Sequence, residues 1–106
     1  MAPVTASLLL PEKKTPDMQE RTVTIINKLG LHARAAAKFV TTAASFSSNV
    51  ELSKEGQQVN GKSIMGVMML AASRGTELVI MVQGTDEVEA ADSLVHLVED
   101  RFGEQE

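Results

Sequence analysis

Apolar and polar positions alternate or recur at regular spacing after residue 20, and this pattern predicts seven elements of secondary structure. Strands are expected where β-branched or apolar residues alternate with polar ones, and helices where apolar residues recur every three or four positions. The predicted strands cover 22–26, 50–53, 57–60 and 77–82, and the predicted helices begin at 32, 64 and 84. Short connections in the order β-α-β-β-α-β-α favour an α+β fold, an open-faced sandwich with three helices on one face of a four-stranded sheet.

The residues between these elements predict where the helices start and stop. Ser63 precedes the second helix and is expected to cap it, and Gly75 is expected to end that helix as a glycine C-cap. Acidic residues after Gly84 suit the start of the last helix, which is expected to run to about Arg101. The apolar face of that helix is predicted from its spacing as Val88, Ala91, Leu94, Val95, Val98 and Phe102.

The first twenty residues contain all three prolines and lack a sustained period, so residues 1–20 are predicted to be a flexible extension. The domain is expected to span 21–106. The short apolar stretch 6–10 has no basic residue before it, which makes it a poor signal peptide, and no apolar run approaches the ~18 residues of a membrane span. A cytoplasmic protein without a membrane partner is therefore expected.

Composition and charge exclude several kinds of site. The chain has no Cys, which rules out disulfides, thiolate chemistry and cysteine-bound zinc. It has no Trp or Tyr, so a base-stacking surface for single-stranded nucleic acid is not expected. Residues 86–106 carry eight acidic side chains and one basic one, which argues against duplex DNA. The other histidine, His96, is expected to be a solvated surface residue, and neither a metal nor another cofactor is expected.

His32 stands where the first helix is predicted to begin, directly after a strand and a glycine-containing loop. A helix N-terminus offers unpaired N–H groups and partial positive charge, which suit an anion. Neutral imidazole is a nucleophile, and Arg34 can offer several donors to phosphate oxygens. His32, Arg34 and the N–H groups of Ala33, Arg34 and Ala35 therefore form a candidate phosphoryl-accepting site. An incidental surface histidine is the alternative from these residues alone.

Two segments carry a resemblance to a known family. Residues 30–40, GLHARAAAKFV, resemble the active-site segment of the histidine-containing phosphocarrier protein HPr of the phosphotransferase system. Residues 59–70, VNGKSIMGVMML, are similar to that family's second signature, around its regulatory serine. The resemblance implies four antiparallel strands and three helices. It also implies that enzyme I, charged from phosphoenolpyruvate, phosphorylates Nδ1 of His32, and that a downstream acceptor protein then takes the phosphoryl group. Such a carrier is a co-substrate of phosphotransferases more than an independent enzyme.

The same resemblance assigns roles to the second helix. It places Ile64, Met65 and Met68 outward beside His32, as a partner-binding surface with Ala37, while Val67 and Leu70 point inward. Burial of this helix on two sides is the alternative, because its apolar residues occupy more than one face. Ser63 matches the regulatory phosphorylation site, which would require a serine kinase. Capping alone is the structural alternative for Ser63.

Ala35 stands where the commonest HPr motif has proline, and this change resembles NPr-type members of the family, which serve a nitrogen-related regulatory branch. A sugar-uptake HPr remains the alternative within the family. From other classes, a ferredoxin-like or ACT-type ligand-binding module shares the size and α+β composition. An acylphosphatase-like hydrolase fits poorly, because the His32 and Arg34 pair does not match its chemistry. The protein is expected to be a monomer.

Overall fold

The computed structural model describes residues 18–106, and residues 1–17 of the predicted extension lie outside the described residues. The strands and helices follow one another in the predicted order. The strands are β1 (Met18–Thr24), β2 (Asn49–Lys54), β3 (Gln57–Asn60) and β4 (Glu77–Gln83). The helices are α1 (Ala33–Ala44), α2 (Ile64–Met69) and α3 (Glu87–Glu99), followed by a short 3-10 turn at Arg101–Gly103.

The four strands form one antiparallel sheet in the order β1-β4-β2-β3. Ile80 in β4 lies opposite Arg21 in β1 and Leu52 in β2, which fixes the register of the central strands. Alternate side chains point to the helical layer, because successive residues of a strand face opposite sides. The buried face of the sheet consists of Val23, Val50, Leu52, Leu78, Ile80 and Val82. Phe39 of α1 and Phe102 after α3 fill the layer between sheet and helices. The predicted open-faced α+β sandwich is confirmed.

β1 begins earlier than its apolar pattern predicts. Met18, Gln19 and Glu20 continue the pairing with β4 as far as Gln83, so β1 includes residues before the predicted boundary at 21. Gln19 and Glu20 are polar and give no strand signal, and the pairing of this segment with β4 determines its conformation. Gln19 also donates a hydrogen bond to Glu87 of α3 at 3.3 Å, which joins this part of β1 to the helical layer.

α2 is shorter than predicted, and Gly75 does not end it. The helix stops at Met69, and Ala71 adopts the left-handed conformation at φ 50°. Gly75 lies in the following turn at φ 90° and donates its N–H to the carbonyl of Ile25 at 2.7 Å. The N–H of Ala71 bonds the carbonyl of Met68 at 3.0 Å, so a non-glycine residue closes this helix.

The buried face of α3 is rotated by about one residue from the predicted stripe. Val88 is half exposed, and Ala90 is buried in its place. The buried positions Ala90, Ala91, Leu94 and Val98 follow helical spacing and face the sheet. No helix within residues 18–106 combines the length and apolar character needed to cross a membrane.

Candidate functional site

The loop before α1 holds His32 in place through buried contacts. Asn27 is fully buried, and its side-chain amide donates to the carbonyl of Gly30 at 2.9 Å. Gly30 has φ 69°, and a Cβ at this position would lie 2.4 Å from the carbonyl oxygen of Ala72. Only glycine fits this close approach with a left-handed backbone. These contacts therefore fix the direction in which the backbone enters α1.

His32 is the N-cap residue of α1, with extended backbone angles of φ −72° and ψ 177°. Its carbonyl accepts the first helical hydrogen bond, from the N–H of Ala36 at 2.8 Å. The N–H groups of Ala33, Arg34 and Ala35 precede that bond and have no acceptor within the helix. The His32 ring makes no capping bond to α1 and keeps 27% of its side-chain surface exposed. The ring and three free donors thus occur together at one helix start.

Glu104 contacts His32, and no sequence motif predicts this contact. Its Oε2 pairs with Nε2 of His32, and its Oε1 accepts a hydrogen bond from Asn27 at 3.0 Å. Burial alone would raise the pKa of Glu104. Hydrogen bonds from Asn27 and His32, together with nearby positive charge, outweigh burial and lower the pKa of Glu104 below its usual value. Glu104 is 72 residues from His32 and lies in a polar tail without periodicity, so no local motif could have identified it.

His32 and Arg34, predicted as a pair, line the same surface depression of about 410 Å³. Lys28, Leu29, Glu104 and Glu106 complete its lining. Arg34 is exposed and forms no hydrogen bond or ion pair with any residue in 18–106, so its guanidinium can turn toward a ligand. Lys28 pairs with Glu106 at 3.3 Å, but both side chains are mostly exposed and the pair contributes little to stability.

The second helix exposes the side chains that the resemblance placed outward. Met65 keeps 74% of its surface exposed, and Ile64 and Met68 are also exposed. Val67 and Leu70 are buried in the core, so burial of α2 on two sides is wrong. Met69 is exposed as well and was not predicted. We call Ile64, Met65, Met68 and Met69 the α2 apolar patch.

α1 and α2 lie side by side and run antiparallel. The N–H of Leu31, just before α1, donates to the carbonyl of Ala72 after α2 at 2.9 Å. At the other end, Nζ of Lys62 donates to the carbonyl of Phe46 at 2.9 Å. The C-terminal end of α2 therefore lies beside the His32 loop. Ser63 lies at the far end of α2.

Ser63 caps α2 as predicted, because its hydroxyl oxygen accepts a hydrogen bond from the N–H of Gly66 at 3.1 Å.

The remaining predicted residues lie on α1 and α3. Ala37 is half-buried on α1, and it lines a shallow groove together with Arg34. His96 is exposed on α3. Within residues 18–106, no three histidine or acidic side chains converge in a way that could hold a metal ion.

Comparison with known proteins gives the family. A family model described as "PTS HPr component phosphorylation site" matches residues 19–100, nearly the whole described domain. The chain belongs to the HPr family. It is therefore a phosphocarrier protein of the phosphotransferase system, as the two motifs implied. Family membership disfavours the ligand-binding module and the hydrolase considered from the sequence.

Individual HPr proteins are similar to this chain over 94–100% of their own length. The phosphocarrier protein HPr of Cupriavidus necator is 55% identical over 89 residues, which cover 84% of this chain and 100% of that protein. HPr of Pseudomonas aeruginosa is 53% identical over 85 residues, covering 79% of this chain and 94% of that protein. The crystal structure of HPr-C-His from Thermoanaerobacter tengcongensis is 49% identical with a TM-score of 0.80, covering 83% of this chain and 99% of that one.

Proposed function

We propose that His32 is the residue that carries the phosphoryl group. The observation that supports this proposal is the position of its ring at the N-terminus of α1, in one depression with Arg34. A phosphoryl group on Nδ1 would add negative charge where three N–H groups lack helical acceptors, and such a site stabilises anions. We assign the donor as enzyme I, charged from phosphoenolpyruvate, and the acceptor as a downstream protein of the phosphotransferase system.

Arg34 is proposed to bind the phosphoryl oxygens. Its guanidinium is exposed, lies two residues into the same helix, and has no partner within 18–106 to give up. Arginine donates paired hydrogen bonds to phosphate, which are stronger than bonds between neutral groups. The N–H groups of Ala33, Arg34 and Ala35 supply the remaining donors. Ala35 is fully buried, so only its backbone can take part.

The α2 apolar patch, together with Ala37, is proposed as the surface that docks enzyme I and the acceptor. Solvent-exposed methionines on one short helix adapt to differently shaped partners. The end of α2 nearest the His32 loop carries Met68 and Met69, so a partner bound to the patch would also reach the histidine. A large exposed apolar surface beside the site is typical of an interaction surface.

Ser63 is proposed to act as a helix cap. Its hydroxyl already accepts the N–H of Gly66, and this bond satisfies a donor that the helix would otherwise leave free. Regulatory phosphorylation by a serine kinase would place a dianion at the far end of α2 from His32, next to Ile64. The effect would then act on docking at the α2 apolar patch, since Ser63 does not line the His32 depression.

We propose the nitrogen-related branch over sugar uptake, and the supporting feature is Ala35 in place of the usual proline. The test is to offer the phosphorylated protein to acceptors of both branches and compare transfer rates. Faster transfer to the sugar-branch acceptor would contradict this assignment. We place the protein in the cytoplasm with enzyme I.

We also propose that the carrier domain lies within residues 18–106, because the match to the Cupriavidus necator relative covers all of that protein within 89 residues. The carrier is proposed to act as a monomer. Some related structures are described as dimers, including HPr of Thermoanaerobacter tengcongensis and Crh of Bacillus subtilis, so sedimentation of this protein at working concentration tests that assignment.

The carrier function is tested by incubating the protein with enzyme I and labelled phosphoenolpyruvate. Phosphohistidine is acid-labile, so the expected result is label that stays with the protein at neutral pH and is lost in acid. Acid-stable label would indicate a hydroxyl ester, such as one on Ser63. Absence of label under conditions where a known HPr is labelled would contradict the proposal.

A further inference from the structure

Glu104 has both carboxylate oxygens committed to donors in the His32 site. Oε1 accepts from the side-chain amide of Asn27 at 3.0 Å, and Oε2 pairs with Nε2 of His32. The Asn27 amide is itself oriented, because the same Nδ2 group donates to the carbonyl of Gly30 at 2.9 Å and the residue is fully buried. The side chain of Glu104 keeps only 16% of its surface exposed. This is a fixed arrangement, unlike the exposed pair of Lys28 and Glu106.

The arrangement determines which nitrogen of His32 holds the proton. The pKa of Glu104 lies below its usual value, so the group is a carboxylate at neutral pH and can only accept hydrogen bonds. Nε2 of His32 must then donate. In a neutral imidazole that carries its proton on Nε2, the lone pair is on Nδ1.

We propose that Glu104 is a positioning residue that holds His32 as the Nε2–H tautomer and so makes Nδ1 the atom that attacks phosphorus. This inference rests on the proposed role of His32 as phosphoryl acceptor. It goes beyond that role, because it assigns the choice of ring nitrogen to a carboxylate in the C-terminal tail. Without that carboxylate, both tautomers of the ring would be accessible.

The transfer step needs no proton movement in this arrangement. The Nδ1 lone pair forms the new bond to phosphorus, and the bond between phosphorus and the donor group breaks with its electron pair leaving on the donor. The proton on Nε2 stays, so the phosphorylated ring carries a positive charge, and Glu104 lies against it as a counter-ion. When the acceptor attacks, the electron pair of the N–P bond returns to Nδ1 and the ring is neutral again.

Other charged groups around the ring do not replace Glu104. Arg34, Lys28 and Glu106 line the same depression, but none of them hydrogen-bonds the ring. Lys38 is held by the carbonyl of Phe102 at 2.7 Å, where its charge acts on Glu104. Among residues 18–106, only Glu104 hydrogen-bonds Nε2 of His32, so only this carboxylate can determine whether Nε2 holds the proton.

The decisive variant is Glu104→Gln. Asn27 would still donate to the side-chain oxygen at position 104, which leaves the new NH₂ group facing Nε2 of His32. That group donates, so Nε2 must accept and the proton must move to Nδ1. The variant is thus expected to invert the tautomer, whereas Glu104→Ala removes the partner and should give a mixture of both.

The control is Glu106→Gln, which removes the same charge from the same depression, where Glu106 pairs with Lys28 and not with His32. Nitrogen-15 chemical shifts of the His32 ring, recorded on the unphosphorylated protein at high enough pH for a neutral ring, report the tautomer directly. We expect Nε2–H in the wild type and in Glu106→Gln, and Nδ1–H in Glu104→Gln. An Nδ1–H ring in the wild type, or no change in either Glu104 variant, would overturn the inference.

Phosphoryl acceptance from enzyme I provides the second readout. Inverting the tautomer should slow acceptance by roughly ten- to a hundredfold, the range of a lost hydrogen bond to a charged group. A normal rate in Glu104→Gln with an inverted tautomer would also overturn the inference. Failure of the proposed carrier function can be distinguished from failure of this inference. In that case the wild type would take no label from enzyme I, while the tautomer of its His32 ring could still be measured.

Discussion

Met65→Glu separates a docking surface from a folding core more sharply than any other change on α2. Met65 exposes 74% of its surface, so a glutamate there stays in water and should leave the fold intact. Its neighbour Val67 is fully buried, and Val67→Glu should destabilise the domain by several kcal/mol because it buries an unpaired charge. The two variants lie on the same helix and differ mainly in which way the side chain points.

The expected loss of enzyme I affinity follows from the exposed area. Burying a whole methionine side chain contributes about 1.5–3 kcal/mol, so burial of the exposed part of Met65 contributes about 1–2 kcal/mol. Placing an unpaired charge in the interface adds about 2 kcal/mol or more to the loss of binding free energy. A total of about 3 kcal/mol or more weakens binding by at least ~100-fold.

The assay pairs a binding titration against enzyme I with a thermal melt on the same samples. Val88→Glu is the matched control, because Val88 is a half-exposed apolar residue in the first turn of α3, outside the α2 apolar patch, where an acidic residue is tolerated. Met65→Glu should lose binding with an unchanged melting temperature, and Val88→Glu should retain both. Normal binding by a folded Met65→Glu protein would show that the α2 apolar patch does not dock enzyme I. A melting temperature of Met65→Glu that falls as far as that of Val67→Glu would show that Met65 is not exposed.

Three further substitutions test Arg34, the Gly30 loop and Asp86. Arg34→Ala should slow phosphoryl acceptance by roughly ten- to a hundredfold without stopping it, because the helix N–H groups remain, and an unchanged rate would show that Arg34 does not bind the phosphoryl group. Gly30→Ala should lower the free energy of unfolding by at least about 1–2 kcal/mol in denaturant titrations, from left-handed strain and the 2.4 Å approach to Ala72, and equal stability would contradict the loop geometry. The pKa of Asp86 is lowered to about 2, chiefly by the hydroxyl of Ser48, so the folded state binds that proton less readily than the unfolded state. Its stabilising effect is therefore present above about pH 4 and is lost toward pH 2, and Asp86→Asn should flatten the stability curve in that window.

The sequence predicts the architecture well because burial repeats along it with clear periods. The alternation at Leu78, Ile80 and Val82 identifies β4, and the structure buries all three. Helix ends are harder to predict, because a hydrogen bond to a distant part of the chain can override local preference. Gly75 has the residue type of a helix end but bonds Ile25 instead, and Ala71 takes the left-handed conformation.

The sequence predicts only part of the candidate site, because one of its residues reaches it through a distant part of the chain. His32 and Arg34 lie in one short motif, and the structure brings them to the same depression. Glu104 reaches His32 only because Phe102 is buried in the core and the chain turns through positive φ at Arg101, Phe102 and Gly103. No periodic signal marks that turn, so the third member of the site requires the fold to be known.

The mass of the intact protein after reaction with enzyme I and phosphoenolpyruvate shows whether His32 holds the phosphoryl group. The wild type should gain one phosphoryl group that acid removes. His96→Gln should behave like the wild type, because His96 is an exposed residue of α3 that does not line the depression. His32→Gln should fold normally and gain none. Full phosphorylation of His32→Gln, or its loss in His96→Gln, would show that His32 is not the phosphoryl acceptor.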